Sequence, residues 1–488
     1  MEFSCRPRLL VRACATALAL VMAVPAGLAE GLPDLGESAQ GDFSPLVEQK
    51  IGNSIINEIR LREPSYLDDP EINGYLNRLG GKLAGQSEGG VQSFEFFALK
   101  DPTLNAFALP GGYIGVHTAL ITGAQNESEL AGVLAHEISH VTQRHLARLL
   151  NKSSQGQAAA LLSLAVAILA ARSNPDVAVG AAMAGQAAGI QNQLNYSRDF
   201  EREADRVGLQ LLERSGFDVR GMASFFERLQ KFGRLYENNA PGYLRTHPLT
   251  VERISDMENR IQGRPYRQVA DSAEFQLVKA KLRAQLGTPQ EAATEFITQL
   301  KEKKFVTEAV VRYGLAQVRL RQNDAAAAGR EMAEIRRLKL ESPMVETLAA
   351  ELRLKQGDAA GAAQLLAAAH TRYPQDRAVV YALATAQQEA GQPAAALRLL
   401  TDELANYPSD AQLHTLKAKN HALLGQRAEQ HRALAEAYAL NGQLAAAIIQ
   451  LELAQKAGDG NFYVQSQVDA RLRELKKQQA EELRQKRM

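Results

Sequence analysis

The stretch VLAHEISHVTQRH, residues 133–145, contains three of the nine histidines in this 488-residue chain. Its pattern His136-Glu137-x-x-His140 sets two histidines four residues apart, which is about 40° around an α-helix, so both imidazoles face the same side. This spacing is typical of two zinc ligands, and Glu137 beside them is suited to act as the general base toward a water molecule. We therefore predict one Zn²⁺ per chain at this helix.

The third histidine of the stretch, His145, is expected to lie outside the metal site. It follows His140 by five residues, so on a continuous helix it points about 140° away and would be a solvated surface residue. The metzincin pattern needs glycine and histidine where this chain has Gln143 and Leu146. That class of metallopeptidase is therefore excluded.

A third ligand is expected from SRDFEREADRVGL, residues 197–209. Glu201 and Asp205 are four residues apart and share one helix face, whereas Glu203 points away from it. We predict Glu201 as the third ligand, which leaves one coordination position open. Asp205 is the candidate that binds the second nitrogen of a ligand histidine and fixes its tautomer. A solvated helix of mixed charge is the competing interpretation.

The elements that must position these residues are helices and a few strands. Residues 42–84 are helical in type, and two strand-like runs follow at 91–99 and 113–121, the second after the turn signal Leu-Pro-Gly-Gly. The helix with the histidine motif is predicted to begin after Asn126, which can cap it. The first helical region places four apolar residues on one face: Ile72, Tyr75, Leu76 and Leu79.

An alanine-rich apolar segment, residues 158–190, is interrupted by RSNPD and predicts a helical hairpin. Its first arm, residues 158–171, would span about 21 Å as a helix. That is shorter than the hydrocarbon core of a bilayer, about 30 Å. The hairpin is therefore interpreted as a buried core element, an exposed flap over the site, or an element that touches a membrane surface.

The last two hundred residues repeat with a period of 34, which is typical of tetratricopeptide repeats. These are pairs of helices that stack into a superhelix. The final helix, from residue 468 onward, is polar and charged and is expected to cap the stack. The period is carried by turn residues Asn323, Gly357, Gly391 and Gly425, and by Pro374 and Pro408.

The first 29 residues have the layout of a cleaved signal peptide, with three arginines, an apolar run and Gly-Leu-Ala before the expected cleavage site. Both cysteines, Cys5 and Cys14, lie inside it, so the mature protein is expected to have no disulfide and no lipoprotein anchor. Removing the segment leaves 53 basic against 54 acidic residues. This balance argues against nucleic-acid binding.

Taken together, His136-Glu137-x-x-His140 and Glu201-x-x-x-Asp205 in a Ser-Arg-x-x-Glu-x-x-Ala-Asp setting resemble the gluzincin peptidases that include HtpX and the CAAX prenyl proteases. The fold class expected is α+β and mostly α. A zincin-type metallopeptidase domain with a small sheet and an edge strand is predicted for residues 30–268. An all-α tetratricopeptide-repeat superhelix is predicted for residues 269–488.

The same resemblance implies roles for residues around the site. NAFALPGGYIGV, residues 105–116, would contain the edge strand along which an extended substrate pairs, and Asn105 would bind the substrate backbone or the developing oxyanion. His247 and Arg253 would contact the substrate carbonyl. A second hypothesis follows from Pro248, which stiffens the loop after His247: the histidine could take the fourth zinc position and hold the enzyme latent.

With a signal peptide and C-terminal repeats, the mature chain resembles peptidases of this group from the periplasm of Gram-negative bacteria. The resemblance implies degradation of misfolded or stalled outer-membrane proteins, and repeats that contact the barrel-assembly machinery, at or near the outer membrane. The alternative is a chaperone or scaffold that acts through its repeats with the zinc site latent or structural. Glu137 argues against that alternative, because a structural site does not need a general base.

Overall fold

Helices dominate the part of the chain that the structure describes. The computed structural model describes residues 44–87, 93–150, 198–235 and 242–485. The signal segment 1–29 and the hairpin 158–190 lie outside these residues and stay predictions. The described residues from Pro45 onward form one compact unit. None of the helices in the described ranges is long and apolar enough to cross a membrane.

The first group of elements contains all of the predicted site residues. Among the described residues, its helices and strands are, in chain order, α1 (Pro45–Arg62), β1 (Tyr66–Leu67), α2 (Pro70–Ala84), β2 (Glu95–Leu99), β3 (Ala106–Leu109), β4 (Tyr113–His117), α3 (Thr118–Gly123), α4 (Glu127–Thr142), α5 (His145–Leu150), α6 (Arg198–Arg214), α7 (Arg220–Leu235), α8 (Gly242–Thr246) and α9 (Val251–Ile261).

The second group is a series of helices joined by short turns. Its members are α10 (Ala273–Ala284), α11 (Pro289–Glu302), α12 (Glu308–Arg321), α13 (Ala325–Arg337), α14 (Pro343–Lys355), α15 (Ala359–Arg372), α16 (Arg377–Glu389), α17 (Pro393–Asn406), α18 (Ala411–Leu423), α19 (Arg427–Leu440), α20 (Leu444–Lys456) and α21 (Phe462–Gln485).

The four described strands form one sheet in the order β1-β2-β4-β3. β2 and β4 are parallel, whereas β3 pairs with β4 in an antiparallel hairpin with Ala106 opposite Val116. This order makes β3 an edge strand of the described sheet. The second strand-like run is shorter than predicted, because β4 ends at His117 and the chain continues directly into α3.

Helix α4 runs through the interior, and every residue from Glu127 to Val141 is buried. It begins where the sequence predicts, since the side chain of Asn126 accepts a hydrogen bond from the Glu129 amide at 2.9 Å. Helix α6 approaches it closely at Gly208, where an added Cβ would lie 3.2 Å from the Cα of His136. A larger residue at position 208 would push α6, with Glu201 and Asp205, away from the histidines.

The repeat turns show why the period of 34 is visible in the sequence. All four turn residues adopt the left-handed conformation, with φ of 56° at Asn323 and 70° to 80° at the three glycines. Asparagine and glycine are the residues that enter this region most readily. The predicted fold class, mostly α with a small sheet and helical repeats, is confirmed.

The repeats share a core with the first group of elements. Tyr75 of α2 packs against Phe275 of α10, with ring centroids 6.3 Å apart. At the edge of this contact, the Nζ atom of Lys281 lies 2.6 Å from carboxylate oxygens of both Asp69 and Glu71. Thr347 of α14 donates a hydrogen bond to Glu71 as well. Burial lowers the pKa of Lys281, but the two carboxylates outweigh that effect and raise it above its usual value.

We predict that Lys281→Ala lowers the free energy of unfolding by about 3 kcal/mol, because it leaves two poorly hydrated carboxylates without their cation. Urea unfolding followed by circular dichroism measures this change. Adding Glu71→Gln should recover part of the loss by removing one unpaired charge. The control Lys304→Ala, in an exposed ion pair with Glu302, should change stability by less than about 0.5 kcal/mol. Equal effects of Lys281→Ala and Lys304→Ala would contradict the prediction.

Candidate active site

The two histidines of the motif meet inside the protein. His136 and His140 are 0% and 2% exposed, and their ring centroids are 4.6 Å apart. Their Nε2 atoms approach to 2.9 Å, so both nitrogens face the same small space. The four-residue helical spacing in α4 is the cause of this convergence.

Helix α6 brings a carboxylate to the same space. The Glu201 oxygens lie 3.5 Å from Nε2 of His136 and 3.5 Å from Nε2 of His140. His247 adds a fourth donor from the loop after α8, with Nδ1 3.1 Å from Oε1 of Glu201. One donor atom from each of the four residues lies within 4.8 Å of the others, and all four side chains are buried.

This donor set fits a metal ion. Imidazole nitrogens and a carboxylate are zinc-type ligands. Burying four such polar side chains is costly, and a bound cation would offset that cost by interacting with all four of them. The predicted ligands His136, His140 and Glu201 therefore lie together, and His247 lies with them.

Asp205 and Arg253 form a second layer behind His136. The Asp205 carboxylate lies 3.0 Å from Nδ1 of His136. Arg253 donates to both Asp205 oxygens, at 2.7 and 2.8 Å, and its Nη1 lies 2.7 Å from Oε2 of Glu201. Burial alone would raise the pKa of Asp205, but Arg253 and His136 outweigh it and hold that pKa below its ordinary value.

The contacts of Arg253 differ from the predicted ones. The sequence analysis expects this residue to contact a substrate carbonyl. In the structure Arg253 is 3% exposed, and its guanidinium binds Asp205, Glu201 and the carbonyl of Pro248. With its donors committed to these groups, Arg253 is suited to position the acidic residues rather than to bind a substrate.

His145 was predicted to be a solvated residue, and that prediction is wrong. The side chain is 0% exposed, and its Nδ1 lies 2.8 Å from Nδ1 of His140. Helix α4 ends at Thr142, and Arg144 adopts a left-handed conformation with φ of 51°. The chain therefore turns back toward the site, and the angular spacing of a continuous helix no longer applies. Burial lowers the pKa of His145 to about 4, against an opposing effect of Glu203.

Glu137 and Asn105 lie on the side of the site toward the sheet. Glu137 is 0% exposed, with Oε1 3.5 Å from Nε2 of His247. Burial raises its pKa; His247, His136 and the backbone of Ala108 in β3 act to lower it. Asn105, just before β3, is 5% exposed, and its side-chain oxygen has no hydrogen-bond partner among the described residues.

Sequence reasoning missed Tyr243. Its ring stacks on His247, with centroids 4.6 Å apart and an interplanar angle of 27°, and it is fully buried. The only signal in the sequence is the spacing of four residues between Tyr243 and His247, which sets both on one face of a short helix. The His247 amide donates to the Tyr243 carbonyl at 2.8 Å, so this turn of helix anchors the loop histidine.

Two parts of the chain match models of known protein families. Residues 70–261 match the model of peptidase family M48, and residues 353–419 match a tetratricopeptide repeat model. The part of the chain that matches the peptidase family M48 model contains all of the site residues described above, and the match to tetratricopeptide repeats follows it in the sequence. A metallopeptidase domain of this kind implies a metal cofactor.

Several named proteins are similar to this chain in sequence. The putative beta-barrel assembly-enhancing protease of Vibrio cholerae is 37% identical over 291 residues, which cover 59% of this chain and 60% of that protein. The beta-barrel assembly-enhancing protease of Escherichia coli K12 is 38% identical over 254 residues, 52% of each chain. The mitochondrial metalloendopeptidase OMA1 of Arabidopsis thaliana is 32% identical over 188 residues, covering 38% of this chain and 36% of that protein. The chain thus spans about half to three fifths of the length of the two bacterial relatives.

We predict that Arg253→Met weakens divalent-metal binding roughly 10- to 100-fold, because Asp205 and Glu201 lose the cation that orients them. Arg253→Lys should recover little of this loss, since one ammonium cannot make the paired contacts of a guanidinium. Competition with a metal chelator measures the affinity. The control is Arg260→Met on the same helix, in an exposed pair with Asp256, which should bind metal like the parent. Unchanged affinity in Arg253→Met would contradict the prediction.

Proposed function

We propose that this protein is a zinc-dependent metalloendopeptidase in which His136, His140 and Glu201 hold one Zn²⁺ per chain. The observation that carries the proposal is the convergence of these three buried donors. Glu137, which directly follows His136 in the sequence, has a buried carboxylate as well. The match to peptidase family M48 over residues 70–261 supports it. We retain residues 30–268 as the peptidase domain and residues 269–488 as the repeat domain.

The residues divide the catalytic work among themselves. A bound zinc ion would supply Lewis acidity toward the attacking water and the scissile carbonyl. Glu137 accepts the proton of that water and delivers it to the leaving amine. Asp205 holds His136 through Nδ1 so that Nε2 is the nitrogen left for the metal.

The substrate is an extended polypeptide that pairs with the edge strand β3. Two observations support this: β3 is at the edge of the described sheet, and the Asn105 side-chain oxygen has no hydrogen-bond partner among the described residues. Backbone pairing selects for unfolded segments, because folded proteins present few free strands. Asn105 would bind the substrate backbone through its side-chain amide or stabilise the oxyanion.

The names of similar bacterial proteins support a proposal about substrates and partners. Two bacterial proteins are similar to this chain in sequence. One is named a putative beta-barrel assembly-enhancing protease, and the other a beta-barrel assembly-enhancing protease. We propose that this chain degrades misfolded or stalled outer-membrane proteins in the periplasm, after export by the signal segment 1–29. Its repeats would contact the barrel-assembly machinery, and the protein would lie at the periphery of the outer membrane.

A chaperone or scaffold function through the repeats is the second candidate. It is favoured by large apolar side chains exposed on the last two helices: Ile449 is 55% exposed, Phe462 87% and Tyr463 69%. Such residues are suited to bind unfolded or partner segments. This function does not need Glu137, so the two candidates can be separated by one substitution.

We expect Glu137→Gln to keep about one zinc per chain and to lose cleavage of an unfolded test protein, because glutamine cannot accept a proton. Metal analysis and a peptide-cleavage assay on the purified protein measure the two properties. Cleavage at the parent rate would refute the mechanism. Full rescue of outer-membrane assembly defects by Glu137→Gln would favour the chaperone function.

We also propose that His247 occupies the fourth position around the zinc and holds the enzyme latent. The side chain is 1% exposed, its Nδ1 lies 3.1 Å from Glu201, and Tyr243 stacks on its ring. A histidine held so firmly beside the ligands would exclude the water molecule that attacks the substrate. Substrate or a partner would then have to displace the loop for cleavage to begin.

The latch predicts that His247→Ala cleaves an unfolded test protein several-fold faster than the parent, with unchanged zinc content. A large fall in the cleavage rate would instead assign His247 to transition-state stabilisation. Thr246→Ala, at the end of α8 and next to His247, serves as the control. Its hydroxyl only donates to the Tyr243 carbonyl, so its rate should match the parent.

A further inference from the structure

A chain of buried side chains extends from His140 away from the ligand cluster. His145 places its Nδ1 2.8 Å from Nδ1 of His140 and its Nε2 3.1 Å from Oε2 of Glu203. The same Glu203 oxygen accepts a hydrogen bond from Arg148 Nη1 at 2.9 Å. In the proposed function, His145, Glu203 and Arg148 are neither ligands nor general bases nor substrate contacts.

Hydrogen-bond chemistry assigns one direction to this chain. His140 presents Nε2 to the ligand cluster as a lone pair, so its proton must be on Nδ1. His145 Nδ1 must then accept a hydrogen bond from His140 Nδ1, which leaves the single proton of neutral His145 on Nε2. Glu203 accepts there, as an ionised carboxylate paired with Arg148. His140 therefore donates to His145, His145 donates to Glu203, and Arg148 donates to the same carboxylate oxygen.

We propose that His145 is a positioning residue that fixes the tautomer and ring orientation of His140 for metal binding. The proposal rests on the function proposed above. It gives the two ligand histidines equivalent support: Asp205 with Arg253 stands behind His136, and Glu203 with Arg148 stands behind His140 with His145 in between. Outer contacts of this kind raise the basicity of a ligand and restrict its motion.

Packing holds His145 in place. Its ring stacks on Phe200, with centroids 4.6 Å apart and planes at 11° to each other. The guanidinium of Arg148 also lies over the Phe200 ring, with its Cζ atom 4.7 Å from the ring centroid. Phe200 precedes Glu201, so the stack also connects the support of His140 to the helix that provides the carboxylate ligand. A shift of His145 would thus disturb two ligands together.

Two substitutions separate positioning from simple space filling. In His145→Asn the side-chain oxygen falls near the former Nδ1 and can still accept from His140. In His145→Gln the polar end falls near the former Nε2, so the contact with Glu203 is kept and the contact with His140 is lost. Both variants remove the aromatic stack with Phe200, so they are matched for lost packing.

The experiment measures the Zn²⁺ dissociation constant of the full chain by chelator competition. We expect His145→Asn to bind zinc within about threefold of the parent, and His145→Gln to bind roughly 10- to 100-fold more weakly. The visible spectrum of the cobalt-substituted protein gives a second readout, which should change in His145→Gln alone. Glu203→Gln, which leaves the ring and its packing in place, should weaken zinc binding by a few-fold. The control His431→Gln, in the repeats, should leave zinc binding unchanged.

Each other outcome overturns the inference in a distinct way. Equal weakening by asparagine and glutamine assigns His145 to packing alone, and parent-like affinity in both removes any role toward the metal. If His145→Gln does not fold, as judged by circular dichroism, parent-like affinity in Glu203→Gln overturns it. Failure of the parent protein to bind zinc at all would refute the proposed function as well, and so is distinguishable from these results.

Discussion

Burial of helix α4 is the constraint on which the rest of the structure depends. The side chains of this helix are buried from Glu127 to Val141, and those in its last two turns include two histidines and a glutamate. Buried polar groups are costly unless they are paired. Polar groups lie within 3.0 Å of both ring nitrogens of His136 and of His140.

The arrangement of α6, α9 and the loop after α8 follows from that constraint. Gly208 allows α6 to lie against α4, which brings Glu201 and Asp205 to His136. Arg253 then compensates the charge of both carboxylates. Three carboxylates near the histidines are each paired with a guanidinium, which is always protonated. Arg253 pairs with Glu201 and Asp205, and Arg148 pairs with Glu203. The result is a candidate metal site whose buried side chains are contacted from two sides.

The repeats contribute to the same body of the protein. Lys281 of α10 pairs with Asp69 and Glu71 at the start of α2, and α2 packs against α4 through its apolar face. The repeat helices therefore contact an element that supports the motif helix directly.

The sequence by itself determined the parts of this protein that depend on local spacing. The four-residue interval between His136 and His140, the same interval between Glu201 and Asp205, and the 34-residue interval of the repeat turns all follow from helix geometry or backbone preference. Tertiary structure alone decided the position of His145, the contacts of Arg253 and the stacking of Tyr243. A single left-handed residue, Arg144, redirects the chain after α4, and an arginine 48 residues after Asp205 can be paired with it only once the helices are packed. Such contacts depend on the relative placement of distant elements, which periodicity along one chain segment does not contain.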